Sequence, residues 1–194
     1  MALSLLLRRS VSRAPASGQR GFTLIELLVT LVVLAVVLGI AIPNMNTLLR
    51  NNRSLAFGDE FIGALNFTRS EAAKRGALVS LCAANDTQTA CGNDWSNGWL
   101  AVVDSADETS GSVTIADADT DVLRVWEPAG EGLELNVSRG SGVDFVRFTG
   151  GGGLSRDSDQ PIQVTAQHSD CSGDSVRSIR VSPAGSVRAI KTSC

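Results

Sequence analysis

The chain has 194 residues, with 17 basic and 20 acidic side chains, a formal charge of −3, one histidine and four cysteines. This balance argues against broad, charge-driven nucleic-acid binding. A single histidine also leaves little material for acid–base or zinc chemistry.

Residues 1–21 carry Arg8, Arg9, Arg13 and Arg20 and no acid. Basic residues stay on the cytoplasmic side of a membrane, so the N-terminus is expected inside and the bulk of the chain outside. Subtracting these four from the 17 basic residues leaves 13 against 20 acidic, a balance of −7 for the rest of the chain. An apolar segment follows from Phe22 to Ile42, 21 residues whose only charge is Glu26. As a helix it reaches about 31 Å at ~1.5 Å per residue, close to the roughly 30 Å of a bilayer's hydrocarbon core. Residues 22–42 therefore predict a transmembrane helix. Burying one carboxylate there costs on the order of 3 kcal/mol, so Glu26 is expected to have a partner.

Pro43 ends the span and predicts a kink or a locally melted turn, because proline removes a hydrogen bond and crowds the preceding turn. Residues 43–76 read again as helix. Met45, Leu48, Leu55, Ile62, Leu65 and Ala72 recur at threes and sevens and are expected on one buried face. Lys74-Arg75-Gly76 supplies cations and a glycine at the helix end. From Ala77 the period changes to two. Strands are expected at Leu78–Leu81, Trp99–Val103, Val122–Trp126, Leu133–Val137, Val143–Phe148, Ile162–Thr165, Ile179–Val181 and Val187–Ile190. Ser182-Pro183-Ala184-Gly185 predicts the turn of a hairpin. Gly150–Gly153 is expected to be a flexible loop tip. One long helix followed only by strands predicts an α+β fold, with residues 77–194 forming one antiparallel β-rich head.

Cys82, Cys91, Cys171 and Cys194 allow three disulfide pairings. Cys82–Cys91 and Cys171–Cys194 are expected, since each closes a local loop and leaves the other undisturbed. Zinc is the rival reading, disfavoured because no C-x-x-C spacing occurs.

Several motifs carry the chain's resemblance to a family. The basic leader ending at Gly21, the run Phe22-Thr23-Leu24-Ile25-Glu26-Leu27 and the apolar helix together resemble the type IV prepilin signature. The resemblance implies that a prepilin peptidase cuts after Gly21 and N-methylates Phe22. It further implies that Glu26 pairs with the amine of a neighbouring subunit's Phe22 and sets the filament register. Arg69-Ser70-Glu71-Ala72, Lys74-Arg75-Gly76, Val79-Ser80-Leu81-Cys82, Trp95, Gly98-Trp99 and Asp104 resemble the head of H-type minor pilins and pseudopilins, the GspH/FimT-like group. So do Ile179-Arg180-Val181-Ser182 and Gly185-Ser186-Val187-Arg188. The implied fold is the type IV pilin fold. The implied role is a minor subunit of a filament tip or initiating complex, in a type II secretion pseudopilus or a type IV pilus. The implied place is the inner membrane, with the head in the periplasm and other pilins or pseudopilins as partners.

The remaining motifs have weaker chemistry. His168 lacks a framed nucleophile and is expected in a surface loop, and no enzyme constellation is found. Asp117-Ala118-Asp119-Thr120-Asp121 opens like a calcium loop but lacks the required glycine and glutamate, so a solvated acidic loop is expected and no metal or cofactor is assigned. Arg177, Arg180, Arg188 and Lys191 lie on or beside the last hairpin. In DNA-uptake members of the family a C-terminal Gly-Arg-x-Arg motif is associated with DNA, and here Ser186 replaces its first arginine. DNA contact by Arg180, Arg188 and Lys191 is therefore the alternative reading; the other is charge that protects an edge strand. Trp95, Trp99, Trp126, Phe145 and Phe148 are expected in the sheet core.

Overall fold

The computed structural model describes residues 21–139, 141–155 and 161–194. The leader expected over 1–21 thus lies outside the described residues except for Gly21. The chain divides into two compact units, Met1–Ile42 and Pro43–Cys194.

Helix α1 spans Leu24–Arg75, and the helical pattern runs through Pro43 without a melted turn. In the first unit its large apolar side chains are all exposed, from Phe22 to Ile42, and the helix is long and apolar enough to cross a membrane. Every backbone group of such a span must be satisfied within the helix, which a continuous α-helix achieves. The helix ends where Gly76 takes the left-handed conformation, φ +64°, and donates its amide to Ala72 at 2.9 Å. Lys74 and Arg75 bracket Glu71 in that last turn.

The buried face of α1 differs from the expected one. Ser54, Phe57, Phe61, Ala64, Leu65, Thr68 and Ala72 are buried, whereas Met45 and Leu48 are 54% and 53% exposed. The expected face followed the sevens and passed over small and hydroxyl residues. Thr68 can lie in the core because its hydroxyl bonds back to the Ala64 carbonyl at 2.8 Å, and Ser54 because it donates to the Ser175 carbonyl at 2.8 Å.

Two antiparallel sheets pack on this face. The first has the order β3-β2-β1-β6, with β1 Val79–Ala83, β2 Trp99–Val103, β3 Val122–Trp126 and β6 Phe145–Phe148. The second has the order β5-β4-β7-β8-β9, with β4 Leu133–Arg139, β5 Ser141–Gly142, β7 Ile162–His168, β8 Val176–Val181 and β9 Val187–Thr192. A four-residue helix, α2, covers Ala118–Asp121. All eight expected strands are present; β7 and β8 extend further than the pattern indicated, and β6 starts two residues late. The hairpin turn forms as expected: Gly185 donates to Ser182 at 2.8 Å and Ser182 to Ser186 at 3.0 Å.

One core joins helix and sheets. Phe61 meets Trp95 and Trp99 edge-on, at 5.5 and 5.2 Å between ring centroids, and Ile162, Val164 and Ile179 bring in the second sheet. A smaller cluster of Cys82, Ala84, Leu100 and Val102 lies on the other side of the first sheet, where Phe145 packs half-buried. Gly58 lets β8 approach the helix, since a Cβ there would strike the Arg177 side chain.

Candidate functional site

The first turn of α1 is closed by an N-cap. Thr23 precedes the helix, its hydroxyl accepts the Glu26 amide at 3.2 Å, and its carbonyl accepts the Leu27 amide at 3.1 Å. Glu26 is therefore the third helical residue, in the pattern Thr-x-x-Glu, where a carboxylate is favoured by the positive end of the helix dipole. The Thr23-x-x-Glu26 spacing that signals this cap is present in the sequence. Phe22 stands just outside the cap and is 83% exposed, and Gly21 precedes it without helical structure. The Gly21–Phe22 bond thus lies in non-helical chain. The Glu26 carboxylate is exposed at the helix start and has no hydrogen-bond or ion-pair partner among the described residues.

In the head, the most polar buried feature is the pair Asp104–Arg147. Arg147 lies on β6 and is completely buried. Its guanidinium bonds Asp104 through Nε and Nη2, each at 2.8 Å. Nη1 donates to the carbonyls of Asp107 and Ser110, and Nη2 to that of Ser112. All three guanidinium nitrogens have a partner, as burial of the group demands. Asp104 also accepts from the Ser80 hydroxyl at 2.6 Å and from the Ala106 and Thr114 amides at 3.0 Å. Burial pushes the Asp104 carboxyl up. The hydrogen bonds from Ser80, Thr114, Ala106 and Arg147 outweigh that and hold it below the usual aspartate range. The pair fixes the chain from 104 to 114, whose Val113 packs against the cluster of Cys82, Leu100 and Val102. Asp104 stood among the residues carrying the resemblance, but its partner 43 positions away had no local signal.

Arg69 performs a similar task at the other end of the head. Its Nε donates to Gly152 at 2.7 Å and its Nη2 to Ala184 at 3.2 Å. The glycine run at 150–153 is therefore no free tip. It is fixed between the helix and the 182–186 turn, and a Cβ on Gly185 would run into the Gly152 carbonyl.

A model of the prokaryotic N-terminal methylation motif matches residues 16–42. A model of the family described as type II transport protein GspH matches residues 58–185, about two thirds of the chain. The chain belongs to the GspH family. Two crystal structures of the Pseudomonas aeruginosa type IV minor pilin FimU share the fold. One has a TM-score of 0.55 and 22% identity, over 72% of this chain and 89% of that one. The other has a TM-score of 0.50 and 23% identity, over 69% and 89%. A search of curated proteins finds no match. This GspH-family chain is a minor pilin or pseudopilin subunit with a type IV pilin-like α+β fold, and its family and fold are those of structural subunits that assemble in filaments.

The other site residues of this GspH-type head fall into separate places. Arg180 on β8 and Arg188 on β9 are register partners on the outer face of the second sheet, both exposed. Lys191 pairs with Arg177 and so falls on the opposite face, where Arg177 reaches Asp59 at 2.7 Å. The three basics expected to act together are thus two plus one, because strand side chains alternate. Cys82–Cys91 and Cys171–Cys194 are both disulfides. His168 is the last residue of β7, half-buried over Gly132, with Nδ1 accepting the Asp170 amide at 3.1 Å. It is a strand residue and not the loop residue expected. Asp117 caps α2 by accepting the Asp119 amide, and its own amide donates to the Asp121 carboxylate, so the acidic run is a short helix start.

Proposed function

We propose that this chain is a minor subunit of a filament tip or initiating complex, in a type II secretion pseudopilus or a type IV pilus, and that residues 22–42 hold it in the inner membrane before assembly. The N-terminus lies in the cytoplasm and the head in the periplasm, in keeping with the basic leader. A prepilin peptidase cuts between Gly21 and Phe22 and methylates the new Phe22 amine. The observation that carries this reading is the helix start: a Gly21–Phe22 bond in non-helical chain, followed by the Thr23 cap and, one turn on, the Glu26 carboxylate with no partner among the described residues. After the cut, the Phe22 amine would sit at the positive end of its own helix dipole, where a cation is disfavoured. Glu26 of a neighbouring subunit offsets that charge, and each buried ion satisfies the other. This pairing sets the axial register. Pro43 supplies a point of bending for the move from bilayer to filament.

The experiment compares two variants in the native cell. Gly21→Ser accumulates as the longer precursor. Glu26→Val is cut normally but enters filaments poorly. Normal cutting of the first, or unimpaired incorporation of the second, overturns the corresponding role.

A further inference from the structure

A cavity of about 480 Å³ opens between α1 and the end of the β4–β7 ladder, where Leu133 pairs with His168. That volume lies within the range of small-molecule sites. Its charged lining is balanced: Arg50 and Arg53 come from α1, and Glu131 and Asp170 from the turns beside the ladder. Arg50 meets Asp170 at 3.3 Å through Nη1, but its Nε is buried with no hydrogen-bond partner among the described residues. Arg53 and Glu131 are exposed and have no partner among the described residues. His168 completes the wall. Its Nδ1 accepts the Asp170 amide at 3.1 Å, so the neutral ring carries its proton on Nε2, which lies over Gly132.

The place of these arginines along the chain narrows the ligand. Arg50 is the first charged residue after Glu26. Residues 43–49 lengthen the uncharged helix past Ile42 by about 10 Å. A headgroup layer adds roughly 5–7 Å to each side of the hydrocarbon core. With residues 22–42 in the membrane, Arg50 and Arg53 therefore emerge where headgroups meet water. Met45 and Leu49 are 54% and 49% exposed. With Arg53 they follow at intervals of four on one helix face, so an apolar strip leads up to the cavity.

We propose that this cavity holds the headgroup of a phosphatidylethanolamine from the periplasmic leaflet, with its phosphate on Arg50 and Arg53, its ammonium on Glu131 and Asp170, and an acyl chain along Leu49 and Met45. The site rests on the membrane reading above. Guanidinium groups bind phosphate oxygens in pairs. A primary ammonium offers three donors to the two carboxylates. A quaternary ammonium offers none, and an anionic headgroup sets its charge against Glu131 and Asp170. The lining therefore selects by mismatch as well as by contact.

The full chain is placed in nanodiscs of equal parts phosphatidylethanolamine, phosphatidylcholine and phosphatidylglycerol. It is then released into mild detergent, and the retained lipid is identified by native mass spectrometry. Phosphatidylethanolamine is expected to exceed each of the others by at least about tenfold, as one charge-assisted hydrogen bond is worth. R53A retains about tenfold less of it, and E131K shifts retention to phosphatidylglycerol. Neither residue bonds within the head, so both variants keep the wild-type melting temperature. Equal retention of the three lipids, preference of the wild type for phosphatidylglycerol, or retention unchanged in R53A overturns the proposal. So does soluble glycerophosphoethanolamine binding as tightly as the lipid, which would make the ligand a soluble phosphoester. A chain that inserts but retains no lipid selectively defeats the headgroup site and leaves the anchor. A chain that does not insert defeats the anchor, and the lipid site with it.

Discussion

Asp104 and Arg147 show how a single buried charge can hold a long segment. The guanidinium spends three of its bonds on carbonyls of residues 107, 110 and 112, and the carboxylate spends two on amides of 106 and 114. Neither ion can be removed alone without leaving the other buried and uncompensated. Asp104→Asn is expected to cost about 3–5 kcal/mol at neutral pH. The cost depends on pH in a definite direction. An unfolded aspartate titrates near about 3.9, and the folded carboxyl titrates lower. Its contribution is therefore complete above the unfolded value and is lost as pH falls through the folded one. Urea unfolding at pH 7 and at pH 3 should show a wide gap between wild type and variant that narrows in acid. A gap unchanged by pH would mean that the carboxylate's charge is not what stabilises the segment.

At the scale of elements, the hairpin β8–β9 is held to α1 from one end. Asp170 reaches Arg50 at 3.3 Å, the Ser172 carbonyl accepts Asn51 Nδ2 at 3.0 Å, and the Ser175 carbonyl accepts the Ser54 hydroxyl. The Cys171–Cys194 disulfide joins this segment to the residues that follow β9. Exposed ion pairs such as Arg50–Asp170 contribute little by themselves, so the covalent link is expected to dominate. Replacing both cysteines by alanine should cost about 2–4 kcal/mol, read as a lower unfolding midpoint without reductant; an unchanged midpoint would show that the side-chain bonds suffice. The strands of this hairpin were legible because their apolar residues alternate, and the turn because Ser-Pro-Ala-Gly fits a tight reversal. The helix face was not, since Ser54, Gly58 and Thr68 occupy it for reasons of close approach and back-bonding that periodicity of apolar residues does not register. The same limit hid Arg69 and Arg147, whose partners are carbonyls of distant turns. Glu26 was visible as an anomaly in an apolar run, but its place in the capped first turn emerged only with the bond its amide gives Thr23.

For the whole molecule, the distribution of burial separates the apolar first unit from the folded head. Among the described residues every buried side chain lies at or beyond Ser54, and the apolar residues from 22 to 42 are exposed throughout. Among the described residues, the head's core and both disulfides are formed by residues beyond 42. A chain starting at residue 43 is expected to fold alone. What it loses is residues 22–42, whose large apolar side chains are exposed, and it keeps Arg50 and Asn51, which bond Asp170 and Ser172. Surface changes of that kind alter stability by about 0.5 kcal/mol, or on the order of 2 °C in a domain of this size. Thermal unfolding of residues 43–194 in plain buffer should therefore match that of the mature chain in detergent within about that margin. A head that is molten or aggregated would place part of its stability in the first unit. A head that melts as the full chain does makes residues 22–42 dispensable for the head's fold.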